Sequence, residues 1–293
     1  MKSLKNKTKP IFKAIPFLAP FVIVYLLFLV YPVFRGLWMS LHRWTMVRKI
    51  DFVGLANYVD MIQDPAFWSS LGHTTLFVLL STPTIVIAGL IFALICNQKL
   101  KGTIFLKISF FMPYVLSVAV ISSIMVFLFK PHNGFINTFL SNIGLEQTIF
   151  WLGQEKLAWF VIVFATLWWT VGFNMILYLA ALQDIPKSYY EAAKVDGATE
   201  FQLFWNITLP MLRPITWTVT LLQIIFSYKI FAQVWLITGG GPGTATRPII
   251  QYIYETAFKQ NNLGYGAAQS YTLFLIIVVV SLIQIWLRKR REN

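Results

Sequence analysis

The chain has 293 residues, of which 57% are hydrophobic and 12% charged, and its formal net charge is +13. A soluble domain carries roughly 25% charged residues, so the composition excludes an ordinary soluble fold and points to a membrane. The lone cysteine, Cys96, excludes an intrachain disulfide and points away from a metal site.

A polar tail, residues 1–13, opens the chain. Six apolar blocks follow at residues 14–39, 69–96, 103–129, 157–182, 215–237 and 270–287, each near or above the ~20 residues that cross a bilayer. Lipid leaves no solvent for backbone polar groups, so such blocks form helices. Their mixed, non-alternating pattern excludes a transmembrane barrel. The first block is too long for a signal-peptide core and no small-residue cleavage pattern follows it, so it reads as a retained helix. The expected fold is an all-α integral membrane protein with six transmembrane helices, one membrane domain over residues 14–293.

Lysine and arginine set the expected orientation. Tail, second loop, fourth loop and C-terminus hold 15: Lys2, Lys5, Lys7, Lys9, Lys13, Lys99, Lys101, Lys107, Lys187, Lys194, Arg213, Arg288, Lys289, Arg290 and Arg291. The opposite side holds eight: Arg35, Arg43, Arg48, Lys49, Lys130, Lys156, Arg247 and Lys259. The positive-inside rule puts both termini in the cytoplasm of a multi-pass bacterial or archaeal cell-membrane protein. The basic residues sit in short juxtamembrane clusters, so they read as a topology signal and not as a nucleic-acid surface. Trp38, Trp44, Trp68, Trp151, Trp159 and Trp235 fall near the predicted outer boundaries, and Trp205, Trp217 and Trp286 near the inner ones.

All 11 carboxylates, from Asp51 to Glu292, lie outside the six blocks, and His42, His73 and His132 sit at or beyond outer helix ends. Proton-coupled carriers need intramembrane acid or histidine relays. No glycine precedes a Lys-Ser or Lys-Thr pair at P-loop spacing. The run Gly239-Gly240-Gly241-Pro242-Gly243 lacks a lysine and reads as a flexible exit from the fifth block. Energy for uphill transport would have to come from another chain.

The loop at 184–213 is the exception to short, featureless connections. Ser188 and Glu191 have capping-box spacing, Pro186 marks the preceding break, and Gly197 suits a helix C-terminus. A helix over residues 189–196 follows, with Glu191 near its N-terminus, where the macrodipole favours negative charge. Thr199 and Gln202 repeat the spacing and open a second helix that Pro210 ends. The loop thus reads as a cytoplasmic helix–turn–helix, either resting on headgroups or offering a surface to a soluble partner.

These residues resemble the signature of binding-protein-dependent ABC importer permeases. The pattern Glu-Ala-Ala, three residues, Gly, nine residues, Ile, one residue, Leu-Pro is met by Glu191-Ala192-Ala193, Gly197, Ile207 and Leu209-Pro210, and Asp196 and Ala198 also match. Six spans with this loop between the fourth and fifth look like a type I importer permease. Thr238-Gly239-Gly240-Gly241-Pro242, the run Tyr252–Phe258, and Asn57-Tyr58 after Val53-Gly54-Leu55 look like the carbohydrate-uptake branch, similar to the larger permease of maltose-type transporters without its extra N-terminal helices and large outer insertion. The resemblance implies a heterodimer with a second permease, a cytoplasmic ABC ATPase dimer that holds ATP and Mg, and an extracytoplasmic solute-binding protein. It implies no catalysis and no cofactor on this chain. Glu191, Ala192, Ala193, Asp196 and Gly197 would form the ATPase-coupling element: Glu191 for charge complementarity, Ala192 and Ala193 for close fit, Gly197 for the turn.

Solute contacts are expected from polar groups inside the spans. Thr166, Thr170 and Asn174 recur at helical spacing beside Trp169; Gln223 and Ser227 are four apart; Gln233 lies further on. Aromatic rings beside hydrogen-bonding groups suit a sugar, whereas the same residues could simply bond helix to helix. Lys229, the charge deepest in a block, either snorkels or attracts an anionic solute. Two other classes compete: an ion-coupled secondary transporter, weakened by the absence of intramembrane carboxylates, and an integral membrane glycosyltransferase, which needs an acid-rich catalytic loop where Asp51, Asp60 and Asp64 are merely scattered.

Overall fold

The structure, a computed structural model, describes residues 9–98, 102–145 and 148–292, with side chains at all of these except 9–15, 50, 291 and 292. Lys2, Lys5, Lys7, Lys99, Lys101 and Glu146 of the sequence reading lie outside the described residues, as do the side chains of Lys9, Lys13, Arg291 and Glu292.

The fold is helical. Four helices are long and apolar enough to cross a membrane: Pro16–Ser40, Pro65–Asn97, Glu155–Gln183 and Leu263–Arg290. Two bent pairs complete six if each is one broken span: Thr103–Val115 with Val118–Leu128, bent by 101°, and Glu200–Met211 with Arg213–Tyr228, bent by 59°. The apolar blocks match these elements, with three corrections. The first helix starts at Lys9, inside the predicted tail.

The third block is two helices. Pro113 removes a backbone donor near the end of Thr103–Val115. Leu116 is extended, and the Ser117 hydroxyl caps the next helix by accepting from the Val120 N–H at 3.4 Å. The fifth block also breaks, after Tyr228, and helix resumes at Ala232–Ile237.

Two π-helical turns share one cause. Leu26–Val30 ends two residues before Pro32, and Phe204–Thr208 two residues before Pro210. A proline ring clashes with the carbonyl four residues back, here Phe28 and Asn206, both inside the widened turns. The wider register gives the ring room, with Tyr31 N–H donating to Leu26 O and Leu209 N–H to Phe204 O. Pro210 therefore does not end its helix, which runs on to Met211.

Contacts divide the chain, read from sequence as one membrane domain, into two compact units. One comprises Met1–Asp64 and Ile253–Leu273. It holds a short antiparallel hairpin, His42–Trp44 with Lys49–Phe52, bulged between Arg43 and Trp44. Asn57, read as a branch resemblance, does structural work here: buried, its amide donates to Ser40 O at 2.8 Å and His42 O at 3.1 Å. Tyr58 shares a 2.8 Å hydroxyl bond with Ser40. Tyr265 donates to Asp64 Oδ2 at 2.7 Å, and Met46 N–H to Asn261 Oδ1 at 2.7 Å.

The other unit comprises Pro65–Tyr252 and Phe274–Asn293. Helices Pro65–Asn97 and Glu155–Gln183 pack along each other as its axis. Along the second, Trp159, Val161, Ile162 and Ala165 belong to one apolar cluster with Phe77, Met125 and Val234, and Met175, Tyr178, Leu179 and Leu182 to another with Ala93, Cys96 and Leu212. The stretch between them, 166–174, is where the polar residues lie. The glycine-rich run is not flexible. Gln251 Nε2 donates to Gly239 O at 2.8 Å, Thr246 N–H to Gly240 O at 3.0 Å, and Thr246 Oγ1 to Gly241 O at 2.6 Å. The carbonyls of Gly239, Gly240 and Gly241 thus each find a donor, which ties the run into a closed turn.

Candidate functional site: a broken-helix cavity and an exposed helical loop

A cavity of about 500 Å³ opens within the larger unit. Helix Glu155–Gln183 supplies Thr166, Trp169, Thr170, Phe173 and Asn174; helix Arg213–Tyr228 supplies Gln223, Phe226 and Ser227. The break after Tyr228 adds Lys229, Ile230 and Phe231, and the short helix beyond it Ala232 and Gln233. Phe77, Tyr114 and Val118 close the remaining sides. All seven residues expected from sequence to meet a solute line this one space.

Breaks in the helices make the room. Trp169 Nε1 donates to the Leu116 carbonyl at 3.1 Å, satisfying backbone freed where the third block breaks and holding the indole ring on the wall. Tyr114, two residues before Leu116, stacks on Phe173 at 5.1 Å with ring planes 18° apart. A close approach sets the opposite side: a Cβ on Gly89 would lie 2.9 Å from Asn174 Cβ, so only glycine lets these helices meet at this depth.

The polar groups are bonded mostly to one another. Thr166 and Thr170 hydroxyls donate to the carbonyls of Ile162 and Thr166, each at 2.8 Å. Asn174 Nδ2 reaches Gln223 Oε1 at 3.4 Å, Gln223 Nε2 donates to Ser227 Oγ at 3.1 Å, and Ser227 shares a 3.0 Å bond with Ser81. This chain ties three helices together. Gln233 differs: its amide meets the Thr166 hydroxyl at 3.0 Å and leaves its other amide atom buried without a partner. An orphaned buried polar atom costs about 1–3 kcal/mol, which a bound partner would recover. Sequence reasoning missed the aromatic lining of Phe77, Tyr114, Phe173, Phe226 and Phe231; the Pro113 break was the available signal for Tyr114.

The loop at 184–213 begins with helix Lys187–Val195, and its start differs from the expected capping box. Pro186 is the N-cap and no side chain caps the helix. Ser188 is already the second helical residue, past the position from which it could cap, and Glu191 is the fifth, beyond the first turn where the macrodipole acts. The C-terminus matches expectation. Gly197 has φ +78°, its N–H donates to Lys194 O at 3.1 Å, and Ala198 N–H donates to Ala193 O at 2.9 Å. These two bonds are a complete Schellman cap. Thr199 and Gln202 form the predicted reciprocal capping box.

Tyr190 and Thr208 join the two arms by a 2.9 Å hydroxyl bond. Lys194 and Glu200 bridge them at 2.9 Å, but both are exposed and the pair contributes little. Glu191, Ala192, Asp196 and Gly197 are exposed and Ala193 half-buried. Around them Tyr189, Val195 and Phe201 present apolar surface, with Val195 86% exposed. The loop also joins the two helices, Glu155–Gln183 and Arg213–Tyr228, that carry most of the cavity's polar residues.

Residues 85–293 match the family described as binding-protein-dependent transport system inner membrane component. A probable ABC transporter permease of Bacillus subtilis, YurN, is 34% identical over 278 residues, covering 93% of this chain and 95% of the relative. The trehalose/maltose transport system permease MalF of Thermococcus litoralis is 36% identical over 274 residues, 93% of this chain and 91% of the relative. Among solved structures, a bacterial ABC transporter involved in import of the acidic polysaccharide alginate superposes with a TM-score of 0.86 at 25% identity, covering 96% of each chain. The chain belongs to the binding-protein-dependent ABC importer permeases, with the type I permease fold.

Proposed function

We propose that this chain forms half of the translocation path for a sugar or oligosaccharide and is driven through its 184–213 loop by a separate ATPase. The carrying observation is connectivity. One exposed, rigidly capped loop joins the two helices that carry Thr166, Trp169, Thr170, Asn174, Gln223 and Ser227 around the cavity. From Arg213, at the loop's end, to Gln223 the helix is unbroken and rises about 15 Å, so a displacement passed through the 59° bend at Leu212 moves a cavity wall. ATP and Mg act on the ATPase dimer, whose closure biases this two-state element. Positive-inside charge supports cytoplasmic termini and a cytoplasmic loop.

Glu191, Ala192, Ala193, Asp196 and Gly197 dock on the ATPase, with Tyr189, Val195 and Phe201 as apolar flanks. A second permease encloses the other half of the cavity, and an extracytoplasmic binding protein delivers the solute. Flat aromatic walls with a few hydrogen-bonding groups fit a sugar, apolar on its ring face and polar at its edge. Sugar-transport relatives, such as the trehalose/maltose permease, support that class. The test is reconstitution of the chain in vesicles with its partner permease, ATPase and binding protein. Solute-stimulated ATP hydrolysis with uptake is the expected result. Uptake driven by an ion gradient, without the ATPase, would replace this reading with secondary transport.

A further inference from the structure

The cavity carries one charged group among its lining residues, Lys229, and no carboxylate. Lys229 caps helix Arg213–Tyr228, and its ammonium lies 5.4 Å over the Phe226 ring, itself a wall of the cavity. Lys229 is exposed at the break after that helix, and no acid lies nearer to it along the chain than Glu255 and Glu200. Gln233, on the same cavity, has one buried amide atom without a partner. Lysine offers three donors and no acceptor. The charge this space leaves unanswered is therefore positive and calls for acceptor oxygens, whereas the Thr166, Thr170 and Ser227 hydroxyls already have partners.

Resting on the saccharide-permease reading above, we infer that the cavity selects an anionic saccharide, one bearing a carboxylate, sulfonate or phosphate. Lys229 is the specificity-determining residue, with the Gln233 amide on the same cavity. A carboxylate placed against Lys229 leaves the sugar rings for Trp169 and Phe173. Snorkelling of Lys229 to the membrane surface would instead make it irrelevant to solute charge.

The test uses the assembled importer, both permeases with the ATPase, in lipid nanodiscs without the binding protein, so that only the cavity selects. Equilibrium binding is measured for trigalacturonate, maltotriose, glucose 6-phosphate and glucose. The wild type is expected to prefer trigalacturonate to maltotriose by at least about tenfold, with a preference that shrinks as salt screens the charge. Lys229→Met should abolish that ratio, and Lys229→Arg should keep most of it. A preference confined to glucose 6-phosphate over glucose, lost in Lys229→Met, supports the same charge selection and assigns phosphate as its source. Equal binding of charged and neutral trisaccharides by the wild type, or an unchanged ratio in Lys229→Met, overturns the charge inference and leaves the saccharide reading standing. Binding of none of the four overturns both.

Discussion

The loop at 184–213 and the cavity are adjacent along the chain but are specified in different ways. The loop is held by local bonds: the Schellman pair at Gly197, the capping box of Thr199 and Gln202, and the Tyr190–Thr208 contact all span fewer than 20 residues. Its outer face, at Glu191, Ala192, Val195 and Asp196, is exposed. The cavity is held by bonds across 49 to 146 positions, such as Asn174 to Gln223 and Ser81 to Ser227. Its shape comes from helices that stop early. A docking element has to be stiff and accessible, which short-range caps provide. A solute chamber has to be enclosed and movable, which requires separate helices meeting through small residues and polar bonds.

This contrast can be broken most sharply at Gly197. A Cβ there would meet no atom within 4 Å, so any effect of substitution is conformational and not steric. Gly197→Val forces a β-branched residue to φ +78°, at about 1–3 kcal/mol, roughly 5- to 150-fold in the docking-competent population. ATPase co-purification and uptake should fall by that order while the membrane abundance of the permease holds. Gly197→Asn, which tolerates the left-handed region, should recover most of the loss. Equal defects in both variants would show that the backbone conformation is not what matters.

Within the cavity the polar residues should not be equivalent. Gln233→Ala removes the amide with an unpaired buried atom and should weaken the apparent solute affinity by up to about tenfold, the value of one neutral bond. Thr170→Ala should change it less, because that hydroxyl already donates to its own helix at Thr166. Matched effects, read from uptake kinetics, would mean that the threonine is a direct contact.

How legible these regions were in the sequence follows from the same difference. The Gly197 turn and the Thr199–Gln202 box could be read from spacing because their partners lie within a few residues. Ser188 could not, because Pro186 sets the helix start two residues earlier and leaves the serine inside it. The six apolar blocks located the helices, and helical spacing singled out Thr166, Thr170, Asn174, Gln223 and Ser227, which with Trp169 and Gln233 line one cavity. Hydropathy is blind to breaks: Pro113 with Ser117, and the interruption at Lys229, lie inside uniformly apolar runs, so the aromatic lining they expose went unread. The glycine run looked flexible because its anchors, Thr246 and Gln251, are outside it.

Smaller effects sharpen the picture at the loop surface. Glu191→Lys changes an exposed mid-helix position, so thermal stability should move by no more than about 0.5 kcal/mol, while ATPase association weakens. Unchanged association would remove Glu191 from the docking face. Lys194→Ala breaks only the exposed bridge to Glu200. Stability should drop by about 1 kcal/mol at most, with uptake intact; a large loss of uptake would assign Lys194 to docking.

Contact between the loop and the ATPase is the claim on which the account turns, and cross-linking reads it directly. Cys96 is buried and sits 3.7 Å from Met175 Sδ, so an Ala192→Cys variant presents a single accessible thiol on the exposed face of helix Lys187–Val195. A short thiol-to-amine reagent added to the reconstituted importer should join this residue to the ATPase subunit, with a yield that changes when ATP is bound. Cross-links that form only with lipid or the partner permease, or a yield indifferent to the presence of the ATPase, would contradict the account and leave the loop a membrane-surface element.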